Sequence, residues 1–157
     1  MGPLVSAGQY EKVLRGVEQA RKDGRVVLDG GPVEREGYYV SPLVGADVDN
    51  SSETAQEEIF GPVLAVMRAR DFEHALALAN DTRYGLTAGI ATRSLRYAQE
   101  FAREAEVGVV NVNLPTAGVE PQAPFGGRKR SGVGPKEQGQ AAIDFYTSWK
   151  TVATNPL

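Results

Sequence analysis

Short apolar runs alternate with amphipathic stretches along almost the whole chain, and that order leaves few folds open. Ser6 and Gln9 have the spacing of a capping box, in which each side chain serves the other's backbone N–H. Tyr10, Val13, Leu14, Val17 and Ala20 then share one helical face, and Gly24 stands where a C′ glycine would stop the helix. Val26–Leu28 and Tyr38–Val40 read as strands, bounded by Gly30-Gly31, Gly37 and Pro42. Pro62–Met67 is continuously apolar, the pattern of a strand buried on both faces. Asp71 caps a helix expected to bury Phe72, Ala75, Leu76 and Ala79. Thr87–Thr92 is a strand, Ser94 caps a helix carrying Leu95, Ala98, Phe101 and Ala102, and Val107–Val112 is a strand again. Strand, helix and strand at these spacings predict βαβ crossovers, hence an α/β fold with a mostly parallel sheet and flanking helices. Residues 115–135 read as a loop long enough to be functional. Residues 136–146 favour a short helix, and Tyr146–Ala153 favours a final strand.

Composition narrows the chemistry. With 157 residues, 41% hydrophobic and 24% charged, the chain suits a soluble globular domain with one core. Its net charge of −3 lacks the positive excess that nucleic acid or an anionic membrane would require. Cysteine is absent, so no thiol can act as nucleophile, form a disulfide or ligate a metal. One histidine, His74, cannot build a Cys/His zinc site, and it reads as a partly exposed surface residue. Glu53, Glu57 and Glu58 form an acidic patch without metal-ligand geometry. The basic cluster Gly126–Arg130 with Lys136 lacks the strand–glycine–helix setting of a phosphate loop and has no aromatic stacking platform, so it reads as a solvated structural loop. No apolar run approaches the ~18 residues of a spanning helix. The first residues resemble no leader, although Met1-Gly2-Pro3-Leu4-Val5-Ser6 loosely fits an acylation pattern that often recurs by chance. The expectation is a cytoplasmic protein without a membrane or nucleic-acid partner.

Three blocks carry a specific resemblance. Glu57-Glu58-Ile59-Phe60-Gly61-Pro62-Val63, Asn80–Ala88 with its Tyr84-Gly85-Leu86 centre, and Pro124-Phe125-Gly126-Gly127-Arg128-Lys129-Arg130-Ser131-Gly132 occur in that order. Together with Glu137, Gly139 and a terminal Tyr146-Thr147-x-x-Lys150, they resemble the aldehyde dehydrogenase superfamily over nearly the whole chain. The resemblance implies a partial catalytic domain over 1–145 and an oligomerisation strand and tail over 146–157. It also implies that the family's Rossmann-like half, catalytic cysteine, general-base glutamate and oxyanion-hole asparagine have no counterpart in this sequence. No residue is therefore assigned as catalytic or metal-binding. In the family a thiolate attacks the aldehyde, hydride leaves to the nicotinamide, and water hydrolyses the resulting thioester.

By the same resemblance, Glu58 corresponds to the carboxylate on the nicotinamide ribose and Phe60 to an aromatic packed at that end of the cofactor. A carboxylate accepting two hydroxyl hydrogens is a sensible ribose clamp; without the family, a surface acid and a turn-flanking aromatic would be the plainer account. Asn113 through Gln122 corresponds to a loop lining the substrate tunnel, with Phe125 near its inner end. Lys129 matches a fixed family lysine, whereas Arg128 and Arg130 stand at variable positions. Asn111–Gly118 is similar to members acting on α-ketoglutaric semialdehyde. The complete enzyme would use NAD or NADP, and the chain alone is expected to bind neither.

Two functional readings follow. In one, the chain is part of an NAD(P)-dependent aldehyde dehydrogenase and is inactive by itself. In the other, it is a non-catalytic binding or oligomerisation module that docks on a full-length dehydrogenase or a separate N-terminal half. Either way, the unpaired edges of Tyr146–Ala153 would recruit another strand, from a second copy or from that half. An unrelated enzyme using the acidic patch or Lys129 ranks well below both.

Overall fold

A computed structural model describes residues 1–118 and 120–156, which form two compact units, Met1–Asp81 and Thr82 onward. The first unit is organised by helix α1 (Ala7–Asp23). Ser6 caps it by accepting a hydrogen bond from the Gln9 N–H at 3.3 Å. Val13, Val17 and Ala20 form its fully buried stripe, and Arg21 and Lys22 sit in the last turn, where cations suit the helix dipole. Gly24 does end the helix, but in an extended conformation rather than the left-handed one of a C′ glycine. Its need is for space: a Cβ there would lie 2.7 Å from Val48 Cγ2 and 2.9 Å from the Ala46 carbonyl oxygen.

Strands β1 (Arg25–Leu28), β2 (Leu43–Ala46) and β3 (Val63–Val66) form a sheet in that order. β1 is antiparallel to β2, with an irregularity between Val26 and Leu28, and β2 is parallel to β3. Two expectations change here. The strand expected at Tyr38–Val40 shrinks to one bridge between Val40 and Pro32, and the ladder forms beyond Pro42 as β2. β3 is not buried on both faces, because α1 covers only one side of it. Val63 and Ala65 are half-buried, while Leu64 is 57% exposed on the other face. Leu43 of β2 is fully buried and completes the core with α1 and Val40.

Between β2 and β3 lies the short helix α2 (Glu53–Gln56). The Asp23 carboxylate fastens it, accepting from the Thr54 N–H at 3.1 Å and the Thr54 hydroxyl at 2.7 Å. Gln19 donates to the other carboxylate oxygen at 2.8 Å. These donors, with the Thr54 hydroxyl first among them, hold the Asp23 carboxyl below its ordinary value. Helix α3 (Phe72–Asn80) starts at Asp71, whose carboxylate accepts the His74 N–H at 2.8 Å. Contrary to expectation α3 buries no residue; Phe72 and Leu76 are half-buried, and Ala75 and Ala79 are exposed.

The second unit contains a βαβ crossover: β5 (Thr87–Ile90) and β6 (Val109–Val112) pair in parallel, joined through α4 (Leu95–Glu104). Phe101 and Ala105 are buried, whereas Leu95, assigned to the core face from its spacing, is 73% exposed in the first turn. The expected loop 115–135 contributes a two-residue strand, β7 (Arg128–Lys129), antiparallel to β4 (Tyr84–Gly85). Helix α5 (Ala141–Tyr146) occupies the end of the stretch expected to be helical. Tyr146 thus ends a helix rather than opening a strand, and residues 147–156 pair with no strand among the described residues. Parallel pairing holds at both crossovers, with antiparallel pairs added at β1 and β7. Among the described residues no helix is long and apolar enough to cross a membrane.

Two consequences can be measured. Because the folded Asp23 carboxyl titrates below its unfolded value of about 3.9, its contribution is present above that pH and is lost as pH falls through the folded value. The gap in thermal midpoint between wild type and Asp23→Asn should shrink below about pH 4; a gap independent of pH would contradict this. At Gly108 an added Cβ would lie 1.7 Å from the Gly126 carbonyl oxygen. Gly108→Ala should therefore lower urea stability by about 3 kcal/mol, and an unchanged midpoint would show that the second unit is not packed this way.

Candidate functional site

The turn after α2 carries the first pair of candidate residues. Ile59 packs on the bare face of Gly16, where a Cβ would lie only 2.7 Å from its Cγ2. Gly61 meets Val13 so closely that a Cβ would lie 2.4 Å from it. The intervening Phe60 lies in the left-handed region with φ of +56°, rare for a bulky residue, and the residue is 72% exposed. Glu58 is also exposed, and its carboxylate enters none of the hydrogen bonds or ion pairs among the described residues. A free carboxylate has acceptor capacity for a diol, so the residue present fits a ribose.

Glu58 lines a cavity of about 150 Å³ with Lys12, Arg15, Gly16 and Ile59, and two further acids, Glu53 and Glu57, line it too. Two cations one turn apart on α1 thus share the cavity with three carboxylates. A larger cleft of about 570 Å³ lies along α1 between Leu14, Val17, Lys22 and Pro32, but it contains none of the candidate residues. Its size carries less weight than the smaller cavity's chemistry. Reading the sequence for function passes over Gln9, Lys12 and Arg15. Their only signal is an i, i+3, i+6 row of long polar side chains beside the apolar stripe of α1.

The other two candidates stand in the second unit, at different cavities. Asn113 follows β6 with φ of +55°. Its carboxamide accepts from the Thr92 N–H at 2.8 Å and donates to the Thr92 carbonyl at 2.9 Å. Its own N–H donates to the Ile90 carbonyl at 2.8 Å, so Asn113 extends the β5–β6 pairing by one rung. One lone pair and one amide hydrogen remain for a ligand. A groove of about 550 Å³ opens beside it, walled by Gly89, Ile90, Ala91, Leu114 and Thr116. Of the segment 113–122 named with it, Val119 lies outside the described residues.

Phe125 is half-buried and exchanges both backbone hydrogen bonds with Glu137, at 2.7 and 3.0 Å. Its ring borders a separate cavity of about 190 Å³ with Leu86, Val133 and Phe145. Lys129 pairs with the Glu106 carboxylate at 2.8 Å, which holds that carboxyl below its ordinary value. Lys136 donates to the Gly108 carbonyl. Two members of the basic cluster are thus committed to internal partners. Glu137 also accepts the Tyr146 hydroxyl at 2.7 Å, raising that phenol's pKa. Among the described residues no group of acidic or histidine side chains is arranged to hold a metal ion.

Comparison with known proteins gives the chain's family. The model of the aldehyde dehydrogenase family matches residues 1–152. The α-ketoglutaric semialdehyde dehydrogenase of Bacillus subtilis is 42% identical over 99% of this chain and 33% of its own length. The α-ketoglutarate semialdehyde dehydrogenase of Haloferax volcanii is 45% identical over 97% of this chain and 33% of its own. A crystal structure of Mycobacterium tuberculosis aldehyde dehydrogenase complexed with NAD+ superimposes with a TM-score of 0.86 at 35% identity, covering 94% of this chain and 31% of that one. The chain spans about a third of the length of the curated relatives it matches. With the family's model covering nearly every residue, the chain belongs to the aldehyde dehydrogenase family.

Proposed function

We propose that this chain supplies the nicotinamide-ribose contact and part of the substrate-tunnel wall of an NAD(P)-dependent aldehyde dehydrogenase, and that alone it does not oxidise aldehydes. The observation that carries this reading is the turn at Glu58–Phe60: a free carboxylate beside an exposed aromatic held in a strained backbone conformation. Strain of this kind, costing about 1–3 kcal/mol, persists where a site requires it. In this reading residues 1–145 are the C-terminal part of the catalytic domain, and 146–157 are the oligomerisation segment, which takes up strand pairing only against a partner.

In this reading the Glu58 carboxylate accepts the ribose hydroxyls and the Phe60 ring covers the adjoining face of the cofactor. Asn113 and Phe125 line the path of the aldehyde chain, whose carbon skeleton the apolar walls desolvate. The bound NAD or NADP supplies the hydride acceptor. The chain offers no thiol for attack on the carbonyl, because it contains no cysteine. The substrate class that fits best is α-ketoglutaric semialdehyde, supported by the resemblance of Asn111–Gly118 and by the relatives' names. The compartment is the cytoplasm.

One observation favours the second reading, a module acting through association. Trp149 and Val152 project from the terminal segment, 97% and 75% exposed. Apolar side chains on a segment without strand partners among the described residues invite another strand.

Complementation separates the readings. The chain is mixed with the upstream two thirds of the Bacillus subtilis relative, and NADH absorbance is followed with α-ketoglutaric semialdehyde. Turnover is expected only in the mixture, with Glu58→Gln raising the KM for NAD about tenfold, the loss of one charged hydrogen-bonding contact. Turnover by the unmixed chain, or a KM insensitive to Glu58→Gln, would contradict the proposal. Light scattering on the purified chain is expected to show self-association at micromolar concentration that Trp149→Ser weakens. A stable monomer throughout would remove the association reading.

A further inference from the structure

The Gln9 side chain does not close the capping box that its spacing with Ser6 suggests. Ser6 accepts the Gln9 N–H, but the Gln9 carboxamide turns outward to the Glu58–Phe60 turn. There its Nε2 donates to the Ile59 carbonyl at 3.0 Å and to the Phe60 carbonyl at 3.0 Å. A primary amide has two hydrogens, and each is used on one carbonyl. Consecutive carbonyls of a pleated, extended chain point to opposite sides, so both can reach one nitrogen only if the chain curls at Phe60. Phe60 is the residue with φ of +56°.

The rest of α1 supports the same turn. Gln9, Val13 and Gly16 stand at i, i+4 and i+7 on one helical face. Gly16 admits the Ile59 side chain, and Val13 closes against Gly61. Ser6, by fixing the first turn of the helix, fixes where the Gln9 carboxamide starts.

We infer that Gln9 is a positioning residue: its carboxamide imposes the left-handed turn at Phe60 and so sets how Glu58 and Phe60 are presented to a dinucleotide. The part concerning the dinucleotide rests on the function proposed above; the clamp itself does not. Gln9→Met keeps the length and helix propensity of the side chain and removes both donors. Gln9→Glu keeps its shape and at neutral pH has no hydrogen to give.

The test has two arms. In the first, NMR of the 157-residue chain reads the strong intraresidue HN–Hα cross-peak that marks positive φ at Phe60. It is expected in wild type and lost in both variants, while the amides of Val13–Ala20 and Thr54 keep their shifts. Persistence of that cross-peak in Gln9→Met would overturn the inference. In the second arm, the complemented enzyme is assayed with Gln9→Met and with Glu58→Gln side by side. Gln9→Met should raise the KM for NAD about fivefold and leave the KM for aldehyde unchanged. An effect of Glu58→Gln without one of Gln9→Met overturns the positioning role alone. Indifference to both variants overturns the cofactor reading and the positioning role with it. If the mixture shows no turnover, the NMR arm decides the clamp.

Discussion

The first unit depends on the burial of one stripe of α1. Val13, Val17 and Ala20 lose essentially all contact with water against Leu43 and Val40, and Tyr10, Leu14, Ile59 and Val63 close around them. Burying a Val or Leu side chain contributes about 1.5–3 kcal/mol, so these few residues supply a large share of what holds the helix on the sheet. That contact does more than stabilise. It fixes the azimuth of α1, and the azimuth decides that Gln9 and Gly16 face the Glu58–Phe60 turn while Asp23 faces Thr54. The second unit buries much less, essentially Phe101 and Ala105. Tight glycine contacts such as Gly108 on Gly126, and side-chain staples such as Asn113 on Thr92, take a larger part there.

The same geometry links fold to site. A backbone strained at Phe60 has to be over-determined by its surroundings, and α1 provides that from three positions along one face. Among the described residues the Glu58 carboxylate is left without a partner, in a cavity bordered by Lys12, Arg15, Glu53 and Glu57. An acid without a partner among the described residues, in a cavity lined by two cations and two further acids, offers acceptor capacity to a hydroxyl-bearing ligand. Asn113, in contrast, uses half of its carboxamide on the fold, so any role toward substrate is shared with holding β5 to β6.

Much of the fold was legible because its signals were local. Ser6, Asp71 and Ser94 cap helices as their types predict, and the parallel crossovers follow from apolar runs separated by helical stretches. What failed was whatever depends on neighbours. Continuous apolarity in Pro62–Met67 suggested burial on both faces, but only α1 covers β3. Leu95 has core-like spacing, yet it stands in the first turn of α4 and is exposed, while Phe101 further along the helix is buried. Leu43–Ala46 was missed because a four-residue strand containing glycine gives little periodicity, and β7 because two residues give none. At the site, the resemblance pointed to Glu58 and Phe60. No pattern pointed to the reach of Gln9, whose partners lie about fifty residues away.

Amide hydrogen exchange on the chain tests most directly whether α1 is the element on which the folded unit rests. The slowest exchange is predicted at Val13, Val17 and Ala20 and across the β2–β3 ladder, with the βαβ crossover of the second unit opening first. If the α1 amides exchanged as fast as those of the terminal segment, or if protection were highest around α4, the helix could not be what holds the Glu58–Phe60 turn in place.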